Sequence, residues 1–385
     1  MARNRVIYQS DALYVSKNIT GQVSGAHAQL DRVQSANYSF TVNRQDINQF
    51  GELGRIGYVA LEPPTVNLDF TYYLTDGCNE RALNFYVQTG AAVPKTFISG
   101  HMISDFSGQN FYILTSTEGN DVNNTSGDFG TGVYIKNAIG IGNAYITNYS
   151  LDASVGNLPT VSVSFEAANM NAVTGVSFIT GTAGVGYSGL QLASVNPEFG
   201  TAYSGSGVVV STGRSSLGTG NLIALRPGDI TLNLSNFDDN GSGVFSKLAG
   251  TDGIHIQSAA LAIPLSRTPI QRLGSRFAFA RPLDLPATAT LSVSAIINEI
   301  TAENLAAVLD LTYEKDITLT INSPGSAVPA VIYSLRKCRL DSESFSSSIG
   351  GNKTVDLVFS TQYASLNETG RGIFMSGIGS APIFA

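Results

Sequence analysis

Three carboxylates, Asp69, Glu166 and Asp356, each sit inside a run in which apolar and polar residues alternate. Two carboxylates flanking a bond are the apparatus of glycoside hydrolysis, one acting as acid and the other as base or nucleophile. The chain has no Trp to accompany them, so they read instead as solvated residues on the wet faces of strands. Gly184, Gly186 and Gly189 spell the G-x-G-x-x-G of a phosphate-cradling loop. No helical pattern or distal acidic residue follows, and a Gly-rich loop is the better reading. There is no H-x-x-x-H, C-x-x-C or G-x-S-x-G, and His27, His101 and His255 are scattered. Asn123 and Asn367 begin N-x-[ST] sequons, which mean nothing without a secretion signal. No catalytic set, metal site or cofactor is expected, and the chain reads as something other than an enzyme.

The elements that carry these residues are strands of period two. In Thr65–Leu74, Val66, Leu68, Phe70 and Tyr72 share one face while Asn67, Asp69 and Thr71 share the other. In Pro159–Ala167, Val161, Val163 and Phe165 oppose Ser162, Ser164 and Glu166. Leu291, Val293 and Ala295 oppose Thr290, Ser292 and Ser294, and Val355, Leu357 and Phe359 oppose Thr354, Asp356 and Val358. Such alternation marks strands with one dry and one wet face. A helix is expected at Cys78–Thr89, with Thr75 or Asp76 as cap, and another at Ala302–Leu311 with Thr301 as cap. Early strands are expected at Ala12–Ser16 and Ile230–Leu234. Hairpins are expected from Phe111–Thr115 into Gly132–Ile135, and from Ile317–Ile321 into Ala330–Ser334 through Ser323, Pro324 and Gly325.

These elements come twice. Shifted by 223 positions, Val33–Leu74 lies on Ile256–Ile297 without a gap. Gln34, Ser35 and Ala36 meet Gln257, Ser258 and Ala259, and Arg44, Ile47, Gly51, Pro63, Thr65 and Leu68 meet Arg267, Ile270, Gly274, Pro286, Thr288 and Leu291. Shifted by 194, Gly156, Thr160, Val161 and Phe165 meet Gly350, Thr354, Val355 and Phe359. Two blocks in the same order point to a duplicated domain. The expected fold is mainly β (α+β), with two repeated β-sandwich or β-barrel-like domains, each flanked by one helix. The boundaries fall at 1–170 and 229–365, with a Gly, Ser and Thr-rich insert or linker at 171–228 and a C-terminal tail at 366–385.

Composition narrows the function. Of 385 residues only 13% are charged and the net charge is −7, with mean hydropathy +0.10. About a quarter charged is usual for soluble domains. A surface so poor in charge is badly protected against association, which fits a β-rich chain with many turns or one covered by copies of itself. The acidic balance argues against a protein that grips phosphates, though not against one that lets nucleic acid slide past. Cys78 and Cys338 fall at non-equivalent places in the repeats, so no shared disulfide or metal design follows. No signal-peptide core is visible behind Arg3 and Arg5, and no apolar run reaches the length of a spanning helix.

The early strand Ala12–Ser16, the strand–long loop–strand run Val33–Leu74, the helix after it and the closing strands Gly156–Phe165 and Gly350–Phe359 together resemble the tail tube protein of long-tailed bacteriophages. The resemblance is to the subgroup whose chain carries two tube domains, and it covers about Arg5–Asn169 and Asp229–Gln362. The insert 171–226 departs from the simplest version. The resemblance implies that six tube domains from three chains close into a ring around a lumen, and that rings stack into a tube in the virion after assembly in the host cytoplasm. The tape measure protein and double-stranded DNA would occupy the lumen without sequence recognition, and sheath or terminator proteins would be further contacts. Lumen-lining candidates are Asn67, Asp69, Thr71, Ser162, Ser164, Glu166, Thr290, Ser292 and Asp356. Inter-ring candidates are Ile47, Phe50, Leu53, Ile56, Ile270 and Leu273, in loops reaching to a neighbouring ring. A tail hub or distal tail ring protein would share the fold, and a cell-surface β-protein would share the composition.

Overall fold

Strands form wherever the alternation lets one face be buried, and among the described residues almost no helix competes with them. The computed structural model describes residues 11–17, 28–60, 64–88, 95–102, 108–115, 133–179, 225, 230–233, 254–273, 278, 280–297, 314–323, 329–346, 354–363, 365 and 370–377. In chain order they form β1 (Asp11–Lys17), β2 (Ala28–Gln29), β3 (Val33–Thr41), β4 (Arg44–Ile47), β5 (Gly57–Ala60), β6 (Thr65–Tyr73), α1 (Cys78–Ala82) and β7 (Val87–Gln88). Then come β8 (Gln109–Thr115), β9 (Val133–Ser154), β10 (Thr160–Ala167), β11 (Asn169–Ile179), β12 (Ile230–Asn233), β13 (Ile254–Pro264), β14 (Thr288–Ile297), β15 (Lys315–Asn322), β16 (Pro329–Ser346), β17 (Thr354–Gln362) and β18 (Gly372–Gly377).

Sixteen strands join in one mixed sheet whose main path runs β12-β15-β16-β17-β14-β13-β9-β10-β6-β3, with β4 and β5 forming a separate hairpin. The sheet folds over on itself because β9 and β16 each serve two neighbourhoods. The first part of β9 pairs with β8 and β11, and its last part with β10 and β13. β16 does the same with β15 and β18, then with β17. The layers meet in an apolar core. Phe111 of β8 lies edge-on to Phe165 of β10 with ring centroids 4.6 Å apart, and Phe165 stacks on Phe70 of β6 at 5.9 Å. Aromatic pairs of this kind add to what their area burial contributes.

The strand partners of the two halves coincide position by position. Val33↔Tyr72 and Ser35↔Thr71 become Ile256↔Ala295 and Ser258↔Ser294 on adding 223, each with an irregularity between the two pairs. Val161↔Leu151 becomes Val355↔Phe345 on adding 194, and the bulges skip Thr147 and Asp341, which differ by the same 194. Where β9 and β16 change neighbourhoods, Asn143 and Lys337 (143 + 194 = 337) take left-handed φ values of 52° and 54°. The Asn143 N–H donates to Asn110 Oδ1 at 3.1 Å and the Lys337 N–H to Asp316 Oδ1 at 3.0 Å.

Those two acceptors hold the strand crossings, and their burial sets their weight. Asn110 is buried, whereas the Asp316 contact is exposed to water. An unpaired buried N–H costs about 1–3 kcal/mol. Asn110→Ala is therefore expected to destabilise the chain by that amount and Asp316→Ala by well under half of it. Urea midpoints of the two variants check this, and equal losses would contradict it.

Several expected boundaries shift. The helix expected over Cys78–Thr89 stops at Ala82, because Asn84 turns left-handed at φ 68° and Val87–Gln88 pair with β18 as a parallel strand. Its N-cap is Gly77, with no side-chain cap, although the Cys78 N–H reaches Asp76 Oδ1 at 3.2 Å. The segment from 171, assigned to the insert, begins inside β11, which pairs with β9. The segment from 366, assigned to a tail, contains β18, which pairs with β16. The long connection after β3 is a hairpin, with Arg44↔Ala60 and Ile47↔Gly57. Its counterpart keeps Arg267↔Leu283 and Ile270↔Ala280, again 223 apart. The helix expected at 302–311 and the loop of Gly184, Gly186 and Gly189 lie outside the described residues.

Candidate functional site

The eight strands β16-β17-β14-β13-β9-β10-β6-β3 bury one face and leave the other polar. All nine lumen candidates lie on that polar face, because alternation forces every second side chain away from the core. The register aligns three of them in one row. Ser35, Thr71, Ser162, Ser150, Ala262, Thr290, Ser360 and Arg339 succeed one another across the eight strands. At the start of that row, the Ser35 and Thr71 hydroxyls are 2.7 Å apart. Asp69 lies opposite Ser164, and Asn67 opposite Glu166. Ser292 lies opposite Val358, and Asp356 opposite Ser294.

The face is concave about its middle. A hollow of about 790 Å³ lies over Ser150, Asp152, Ser162, Ala260, Ala262 and Ser292, where β9 meets β13. Asp152 and Ser154 belong to this surface and were missed in the sequence, although Tyr149–Ser154 alternates as clearly as the runs that were read. Asp69 and Asp356 are separated by four intervening strands, about 24 Å at the usual strand spacing. That is far beyond the reach of a carboxylate pair acting on one bond. Glu166 is not a free charge on the face. Its Oε1 lies 3.1 Å from Nη1 of Arg281, which comes from the second half's hairpin.

That hairpin and its counterpart differ in what they touch. Arg267 donates to the His101 carbonyl at 2.8 Å, and the Arg267 and Arg281 guanidinium groups lie 5.2 and 5.6 Å from the centre of the Tyr145 ring. These two cation–π contacts help hold the second hairpin on the first half. The first hairpin is held only internally among the described residues, by an Arg55–Asp46 ion pair at 3.1 Å and by Arg44 and Arg55 over Tyr58. All six inter-ring candidates are exposed: Ile47, Phe50, Leu53 and Ile56 on the first hairpin, Ile270 and Leu273 on the second.

Behind the polar face the two halves are fastened by a buried polar cluster. Tyr72 and Tyr149 hydroxyls donate to Glu80 Oε1 at 2.7 and 3.3 Å, and Tyr149 Oη lies 2.8 Å from Tyr333 Oη in the second half. Burial pushes the Glu80 carboxyl up to about 7. Burial also raises the Cys338 thiol, to about 12, and the Cys78 thiol further; both cysteines are free. Among the described residues no group of His, Cys, Asp and Glu could hold a metal ion, and no helix is long and apolar enough to cross a membrane.

No protein-family model and no curated protein matches the chain. Among solved structures, a chain of the anti-feeding prophage baseplate aligns with 33% of this chain and 91% of its own length, at 8% identity and a TM-score of 0.24. A chain of the native gene transfer agent virion aligns with 38% of this chain and 99% of its own, at 13% identity and a TM-score of 0.24.

Proposed function

We propose that this chain is a structural virion protein, not an enzyme, that closes with copies of itself into rings and stacks them into the tail tube of a long-tailed phage. The tube is a conduit for genome delivery, holding the tape measure protein and then DNA. The observation that carries this is the internal junction. The four strands of one half and the four of the other, matched in order and register, already continue edge to edge as a single concave sheet. Repetition of one step, not a new kind of contact, extends the sheet into a ring. The coincidence of registers and bulges supports two copies of one domain per chain. Following the resemblance, three chains supply six units and 3 × 8 = 24 strands. At ordinary strand spacing and tilt, such a barrel is about 50 Å across, wide enough for a DNA duplex.

The polar face then lines the lumen. Ser, Thr and Asn rows offer water-like hydrogen bonding, Arg339 at the end of one row is paired with Glu314, and Asp69, Asp152 and Asp356 repel phosphates passing within the roughly 8 Å screening length. The exposed hairpins reach out of the ring toward the next. Negative-stain microscopy of the purified chain tests the reading. Stacked tubes are expected. Isolated rings would replace it with a hub or distal ring protein, and dispersed monomers at high concentration would overturn both.

A further inference from the structure

Among the described residues neither end of the eight-strand sheet carries a further strand: β3 pairs on this sheet with β6 alone, and the last part of β16 with β17 alone. An unpaired edge is a template for another strand, and edges that must stay single are blunted by charge or proline. β3 reads VQSANYSFT, with neither. We propose that Asn37–Thr41 of one copy pairs antiparallel with Ser342–Ser346 of the next, in the register of the internal junction. This rests on the ring reading and specifies its seam.

The register follows by arithmetic. At the internal junction Ile263 lies opposite Tyr149, Ala262 opposite Ser150, and Leu261 opposite Leu151. Subtracting 223 from the first of each pair and adding 194 to the second gives Phe40 opposite Glu343, Ser39 opposite Ser344, and Tyr38 opposite Phe345. Exposure supports the same pairing. Inside the chain Leu261, Ile263 and Leu151 are 1%, 0% and 1% exposed, whereas their counterparts Tyr38, Phe40 and Phe345 are 44%, 41% and 53% exposed. The apolar residues uncovered at the two edges are those that the internal junction covers. A second copy is the occupant that fits both edges at once, since each edge is the counterpart of a strand already paired in the chain.

Cysteine trapping in the full-length chain tests the seam, because both native cysteines are buried. Side chains directly opposite on antiparallel strands lie within disulfide reach after slight adjustment. Tyr38→Cys with Phe345→Cys should give a ladder of covalent oligomers on mild oxidation. The yield should exceed at least ten-fold that of the slipped pair Phe40→Cys with Phe345→Cys. Ser39→Cys with Ser344→Cys, on the wet face, repeats the test without touching apolar packing. Cross-linked dimers from Tyr38→Cys alone would mean that β3 pairs with itself and would overturn the seam. Rings seen by microscopy without in-register links would overturn the seam and leave the ring reading standing. Absence of both rings and links would remove both.

Discussion

Replacing Phe50 and Leu53 together by Ser is expected to abolish tubes while leaving a soluble, folded chain. Both side chains stand at the tip of the first hairpin, are fully exposed and contact no core. The hairpin's own strands, its Arg55–Asp46 pair and the cations over Tyr58 are untouched by the change. Thermal unfolding of the unassembled chain should therefore shift little. Burying one such side chain contributes about 1.5–3 kcal/mol. The double change removes about 3–6 kcal/mol from each copy's stacking contact, enough to raise the concentration needed for tubes more than a hundred-fold. Sedimentation across a concentration series reads that threshold. Tubes forming at the original concentration would show that the tip is not a contact between rings.

Stability should fall as pH rises from 4.5 to 7, and Glu80 is the reason. Its carboxyl is fully buried, accepts two tyrosine hydroxyls on Oε1 and has no partner on Oε2. Burial raises the group from 4.5 to about 7, outweighing the two hydroxyls, which favour the carboxylate. A carboxyl raised in the folded state binds its proton more tightly there than in the unfolded chain. Its stabilising contribution is thus complete below pH 4.5 and lost as pH climbs through 7. The shift corresponds to about 3 kcal/mol. Glu80→Gln, which stays neutral, should remove this slope, so that unfolding midpoints of the variant change far less between pH 5 and pH 8. Parallel slopes for the two proteins would contradict the assignment.

How much of this was legible in the sequence depended on where neighbours lie. The faces of β6, β10, β14 and β17 were readable because a strand with one buried face must alternate, and Val66–Tyr72 or Val161–Phe165 show it without help. The spacing of 223 residues located β13 and β14 from β3 and β6. The helix was overextended because Leu83 and Val87, four apart, fit a helical period, while with Phe85 between them they alternate as a strand. The left-handed turn at Asn84 decides between them, and propensity does not foresee it. β18 was read as a tail because six residues, GIFMSG, carry no period. Its place comes from β16 and β7, the latter 288 positions earlier (375 − 87). The pairing of β9 with β13 had no local signal at all. Glu80 was passed over for the same reason, since the two tyrosines bonded to it come from separate strands, β6 and β9.

The fastening of the two halves has a mechanical consequence. Tyr149 and Tyr333 meet behind the junction, β7 crosses to β18, and Arg281 reaches Glu166, so each chain is a rigid double link. The proposed seam between chains sets Glu343 where the junction within the chain has the buried ring of Tyr149. A closed hoop of such links has two grades of joint in alternation. Under outward load from a passing genome it would yield at every second joint, with the fused pairs moving as plates. Wear, proteolysis and thermal rupture should then release whole chains and leave the halves of each chain together.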